Sequence, residues 1–115
     1  MATQHSQVSI KRIFIANRGE IARRIALTAK KLGIETVALT DRAVPPAFLA
    51  EIVTKFIHID DETTQTYLNP DLMVQYAKSS GSDAIHPGFG FLSENAGFAE
   101  AVIKAGLTWI GPRPG

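Results

Sequence analysis

The chain has 115 residues, 45% of them hydrophobic and 20% charged, with 12 Lys and Arg against 11 Asp and Glu and no cysteine. This is the composition of one small domain, whose single core can bury roughly two-thirds of the surface exposed by the unfolded chain without disulfides or a structural metal. The absence of cysteine excludes disulfide staples, zinc ribbons and thiol nucleophiles, and a net charge of +1 without a long basic run gives no reason to expect nucleic acid.

Residues 1–9 are polar, carry neither an apolar stretch nor arginines, and are expected to be a flexible tail rather than a secretory or transit signal. The domain proper is expected over residues 10–112, with 113–115 beginning a linker. No apolar segment approaches the ~20 residues that span a bilayer, so no membrane is expected and the cytoplasm is the default compartment.

Ile10 to Ala16 contains the run Ile13-Phe14-Ile15-Ala16, too short for a helix and apolar at every position, which predicts a strand buried on both faces. Asn17-Arg18-Gly19 breaks it. Ile21, Ile25, Thr28, Ala29 and Leu32 then recur at helical spacing, with Glu20 early and Lys30-Lys31 late, as the helix dipole favours, and Gly33 as the stop.

Thr36 to Leu39 predicts a second buried strand, and Pro45 to Ile52 a short helix started by the prolines. Phe56 to Ile59 predicts a third strand and Asp60 to Thr66 a polar, structureless stretch. Asn69-Pro70-Asp71 is a helix start, since Asn caps, Pro fits the first helical position and Asp faces the positive dipole end; Gly81 ends that helix. Ala84-Ile85 is a fourth strand, a helix follows over about Asn95 to Ala105, and Leu107 to Ile110 is a fifth strand before the linker-like Gly111 to Gly115. Five strands alternating with four helices predict an α/β, doubly wound parallel sheet, with ligands gathered at the carboxyl ends of its strands.

Two loops fall at those ends: Asn17-Arg18-Gly19-Glu20 after the first strand, and His86 to Asn95 after the fourth. The first occupies the place of a dinucleotide phosphate loop, and Asp41 that of a ribose-binding acid. The glycine pattern is missing, however, because Asn17 and Arg18 carry side chains where a backbone must approach a pyrophosphate, and no P-loop occurs. In the second loop Gly88 and Gly90 flank Phe89, an arrangement read either as a small anion site or as a tight turn whose Phe89 and Phe91 seal the sheet end. His86, extended because it precedes Pro87, is expected to anchor the loop rather than to transfer protons. Ser93 and Asn95 read as helix caps, His58 as an outward strand residue, Trp109 as core, and Asp60-Asp61-Glu62 as solvated. No metal site is predicted.

Taken together, Ile15 to Ala22 followed by Arg24-Ile25 and Leu32 to Ala38, and then Ala84-Ile85-His86-Pro87-Gly88-Phe89-Gly90-Phe91-Leu92-Ser93-Glu94-Asn95-Ala96 with Ile110-Gly111-Pro112 beyond, resemble the two N-terminal signatures of the biotin carboxylase family. The resemblance covers about residues 10–112 and implies that family's Rossmann-like domain, which precedes an ATP-grasp fold. It implies a parent enzyme that uses ATP and magnesium to activate bicarbonate as carboxyphosphate and then carboxylates biotin. Partners implied are its own ATP-grasp and C-terminal domains, a biotin carboxyl carrier domain, a carboxyltransferase component and a second copy in a homodimer. The family's nucleotide-binding lysine, metal-binding carboxylates and catalytic arginine belong to the ATP-grasp domain, so these 115 residues alone are expected to be inactive and to bind no cofactor.

By matching position, Gly88, Phe89, Gly90 and Glu94 are assigned to the wall near the bicarbonate and biotin pocket, His86, Asn17, Gly19 and Glu20 to loop anchoring, and Arg24 to the dimer interface. Phe89 stands where the family commonly has tyrosine, which removes a hydroxyl from that position. Between Thr40 and Lys55 the family's usual Asp-rich turn, His and Ala-Asp-Glu are replaced, leaving the local helix and the carboxylase subclass open. Two other readings remain open: a free-standing nucleotide-binding or regulatory module, and a non-catalytic dimerisation module.

Overall fold

The computed structural model describes residues 9–60, 64–88 and 95–111. The elements in chain order are β1 (Arg12–Ile15), α1 (Gly19–Lys31), β2 (Glu35–Thr40), α2 (Ala47–Ala50), β3 (Lys55–His58), α3 (Thr64–Tyr67), α4 (Pro70–Ser79), β4 (Ala84–His86), α5 (Ala96–Lys104) and β5 (Thr108–Trp109). The five strands form one sheet in the order β3-β2-β1-β4-β5, and every pairing is parallel. The expected α/β parallel sheet is therefore present.

The strand order reverses at β1, and with right-handed crossovers the helices before the reversal, α1 and α2, and those after it, α4 and α5, fall on opposite faces. On one face Phe14, Ala16, Val37, Leu39 and Ile85 pack with Met73 and Ala77 of α4 and Phe98 and Val102 of α5. On the other, Ile15 and Ala38 pack with Ala22, Ile25 and Ala26 of α1 and Leu49 of α2. Successive side chains of a strand point to opposite faces, so a strand covered on both must be apolar at every position, as residues 13–16 are.

Asn69 caps α4 by accepting from Leu72 N–H at 3.1 Å, and Asn95 caps α5 by accepting from Phe98 N–H at 3.0 Å. Trp109, on an edge strand, is half-buried and meets Phe98 edge-on with ring centroids 5.1 Å apart. Two expectations need correction. Thr64 to Thr66 belong to α3 rather than to a structureless stretch: Tyr67, buried in the core, draws its turn against the sheet. The helix expected over Pro45 to Ile52 is a single turn with Pro46 as its cap, held by the one buried residue Leu49. Its first turn is supported by the carbonyl of Pro46, which accepts from Leu49 and Ala50.

The amino ends of the strands are tied by charge. The Asp83 carboxylate accepts from the backbone N–H of Lys11 and Arg12 at 2.8 and 2.9 Å. Arg12 donates from Nε to Glu35 at 2.8 Å and from its guanidinium to the Ser80 carbonyl at the end of α4. Strands β1, β2 and β4 are thus pinned at the end opposite the loops that follow them.

Phe14 is fully buried on the central strand. Phe14→Ala is expected to cost about 3–5 kcal/mol through lost burial and the cavity left behind, read as a shift in the denaturation midpoint with an unchanged denaturant slope.

Candidate functional site

Ligand sites of open parallel sheets lie beyond the carboxyl ends of the strands, where the order reverses. Here that point is between β1 and β4, and Ile15 pairs with His86 at its rim. The loops leaving the two strands are joined by one side chain. Asn17 Nδ2 donates to the Pro87 carbonyl at 2.8 Å, while its Oδ1 accepts from Arg18 N–H at 2.9 Å. Both ends of the amide are used, which fixes its orientation.

His86 adds two bonds. Its backbone carbonyl accepts from Ala16 N–H at 2.9 Å, extending the β1–β4 ladder by one step, and its Nδ1 accepts from Gly88 N–H at 3.1 Å. An accepting Nδ1 requires the neutral ring protonated on Nε2. Burial pushes the His86 pKa below its usual 6.5, which keeps the ring in that form.

Gly88 is buried and has φ +82°, a left-handed conformation that glycine alone adopts without a steric penalty. There is also no room for a side chain: a Cβ there would lie 2.6 Å from Ile21 Cγ2 and 2.7 Å from Asn17 Nδ2. Gly19, at the first position of α1, also has positive φ, +65°, but a Cβ there would meet nothing within 4 Å. Its backbone needs glycine; its surroundings do not.

The structure thus brings Asn17, His86 and Gly88 into one bonded unit, with Gly19 one residue beyond Arg18. Glu20 stays outside it, exposed in the first turn of α1 and facing Arg23 at 3.5 Å. Arg24 is exposed further along α1. It borders an apolar groove of about 370 Å³ between α1 and the β4–β5 side of the sheet, with Leu32, Ile110 and the His86 ring among its walls. Phe89, Gly90 and Glu94, with Ser93, lie outside the described residues. Among the described residues no three His, Cys, Asp or Glu side chains come together.

Ile21 and the Pro87 carbonyl were not singled out by sequence reasoning. Ile21 carries the same helical spacing as core residues, and a carbonyl has no sequence signature. The nearest signal was Gly88 itself, read for its freedom rather than for the lack of space around it.

A family model for the N-terminal domain of biotin carboxylase matches residues 9–115. The chain belongs to that family. It is 46% identical over 105 residues to the biotin carboxylase of Halalkalibacterium halodurans, covering 90% of this chain and 23% of that protein. It is 42% identical over 105 residues to the propionyl-CoA carboxylase alpha chain of Ruegeria pomeroyi, covering 90% of this chain and 15% of the relative. Its fold matches the biotin carboxylase domain of the Hydrogenobacter thermophilus 2-oxoglutarate carboxylase, solved with MgADP, ADP and bicarbonate, with a TM-score of 0.82 and 39% identity over 93% of this chain and 24% of that one. The chain spans about a quarter or less of the length of these relatives.

Two outcomes test this geometry. Gly88→Ala combines a left-handed backbone with a clash and is expected to cost about 2–6 kcal/mol. Gly19→Ala meets only the backbone penalty of about 1–2 kcal/mol; equal midpoint shifts for the two variants would remove the close-packing account. For His86 the folded pKa lies below the unfolded one, so the unfolded chain takes up the proton first as pH falls. The stability that depends on neutral His86 is therefore complete above about pH 6.5 and declines as pH drops toward the folded pKa. Melting between about pH 7.5 and about pH 5.5 should show this decline, and His86→Asn, which keeps an acceptor but does not titrate, should flatten it.

Proposed function

We propose that this domain forms one wall of the bicarbonate and biotin pocket of a biotin-dependent carboxylase, in which ATP and magnesium, held by a separate ATP-grasp domain, supply the chemistry that activates bicarbonate. The observation that carries this is the Asn17–Pro87 bond at the reversal of the strand order, closed from below by Gly88 against Ile21. It fixes Pro87 and Gly88, from which the sequence continues to Phe89, Gly90 and Glu94, the residues assigned to the wall. No catalytic group is assigned to the domain: its residues position a loop and exclude water. A phenyl ring at position 89 in place of the commoner tyrosine makes that part of the wall apolar.

Further parts of this reading follow from the same assignment. The parallel order β3-β2-β1-β4-β5 supports a Rossmann-like description of the sheet. Arg24 and the apolar groove beside it form the dimer surface, since an apolar cleft rimmed by an exposed arginine has the composition of an interface. A biotin carboxyl carrier domain and a carboxyltransferase component are the remaining partners, and the choice of acyl-CoA or keto acid belongs to the latter. No helix among the described residues is long and apolar enough to cross a membrane, and the proposed compartment is the cytoplasm.

The test is biotin- and bicarbonate-dependent ATP cleavage by a protein that joins this domain to its family's ATP-grasp and C-terminal domains, beside the 115 residues alone. Activity is expected in the longer form only. Asn17→Ala, which deletes the bond to Pro87, is expected to lower turnover at least about tenfold while ATP binding persists, because a displaced pocket wall weakens orientation. Turnover unchanged by Asn17→Ala would remove the positioning role.

A further inference from the structure

A second concavity lies beside the bridged loops, at the carboxyl ends of β1 and β2. It is a crevice of about 310 Å³. Its floor is apolar, built from the buried Ala22, Ala38 and Leu49, and its rim carries the exposed Asp41, Arg42 and Phe48. The volume is at the lower end of the range for small-molecule sites, large enough for one nucleoside and too small for a dinucleotide. Arg42 N–H donates to the buried Thr40 Oγ1 at 3.2 Å, which fixes the turn that presents Asp41 directly beyond the last residue of β2. Phe48 is 48% exposed although it is a large aromatic at the mouth of a cleft. The residues of this rim, Asp41, Arg42 and Phe48, all come from the segment between Thr40 and Lys55.

We propose that this crevice binds a purine nucleoside or its monophosphate. An acid directly after the second strand of such a sheet is placed to accept hydrogen bonds from ribose hydroxyls. Asp41 already has a polar partner, and a carboxylate has about four acceptor positions, so hydroxyls join that partner rather than displace it. The exposed Phe48 ring supplies a face on which a base stacks. The side chains of Asn17 and Arg18 stand where a pyrophosphate would have to approach the backbone, which excludes NAD-like ligands from a full dinucleotide pose. The crevice borders the Asn17–Gly88 unit through Asn17 and takes its nucleoside whether or not the longer protein is a carboxylase.

The experiment is a titration of the isotopically labelled 115-residue chain with adenosine, AMP, 2′,3′-dideoxyadenosine and NAD, followed by amide NMR. Adenosine or AMP should produce saturable shifts at Gly19, Asp41, Arg42 and Phe48 in the micromolar to millimolar range. Dideoxyadenosine, which lacks the ribose hydroxyls, should bind about tenfold or more weakly, and Asp41→Asn should weaken adenosine by a similar factor. Phe48→Ala should weaken adenosine and dideoxyadenosine alike, and NAD should bind no more tightly than adenosine. The proposal is overturned by the absence of saturable shifts at millimolar adenosine, by equal binding of adenosine and dideoxyadenosine, or by shifts confined to residues outside the crevice. The dideoxy comparison uses the unaltered chain, so it stands even if a variant folds poorly.

Discussion

Everything at the candidate site depends on β1 being the middle strand of a parallel sheet. It is hydrogen-bonded on one edge to β2 and on the other to β4, and both of its faces are covered. A strand held in this way has no freedom to slide, since a one-residue slip would exchange the faces of Ile13, Phe14, Ile15 and Ala16. The position of Asn17, directly beyond the end of β1, is therefore fixed by the core. Because β4 is parallel to β1 and in register with it, its exit loop arrives within reach of the same amide. One Asn–carbonyl hydrogen bond contributes only about 1 kcal/mol in isolation; its value lies in joining two loops whose starting points are already fixed.

The two ends of the sheet are built differently. At the amino ends, Asp83, Arg12 and Glu35 form charged ties between neighbouring strands, including the ion pair at 2.7 Å. Arg12 and Glu35 are partly to largely exposed, so their pair contributes little through Coulomb attraction alone. The bonds that Asp83 accepts from two backbone N–H groups matter more, because those donors sit where the β1–β4 ladder has not begun. At the carboxyl ends the loops after β1 and β4 are joined by neutral groups. There the contacts are an amide, an imidazole and a glycine packed against Ile21, which leaves the charged groups at the rims of the crevice and the groove.

What could be read from sequence follows the range of the forces involved. The five strands were legible as short, largely apolar runs, a pattern that two-sided burial imposes most strictly on the inner strands β1, β2 and β4. The caps of α4 and α5 were legible because Asn69 and Asn95 act on residues three positions away. The turn at Thr64 to Tyr67 was not, because its cause is the burial of the Tyr67 ring against a core assembled from distant segments. Nor was α2 legible in its true length, since the prolines mark a beginning and only Leu49 finds a place in the core. At the site, the chemical types at Asn17, His86 and Gly88 marked the two loops. Their joining across seventy residues depends on the strand order, which no local motif encodes.

His86 belongs to both faces of this arrangement. Its carbonyl continues the β1–β4 ladder, its Nδ1 holds Gly88, and its ring forms part of the wall of the apolar groove that Arg24 borders. The same helix α1 presses Ile21 toward Gly88 from its first turns and presents Arg24 and Thr28 to the groove from the next ones. A body seated in the groove therefore touches the ring that positions Gly88 and the helix that limits its space. The half-buried imidazole accepts a bond from the loop on Nδ1, which requires the neutral ring protonated on Nε2. Its lowered pKa keeps the ring in that form at neutral pH.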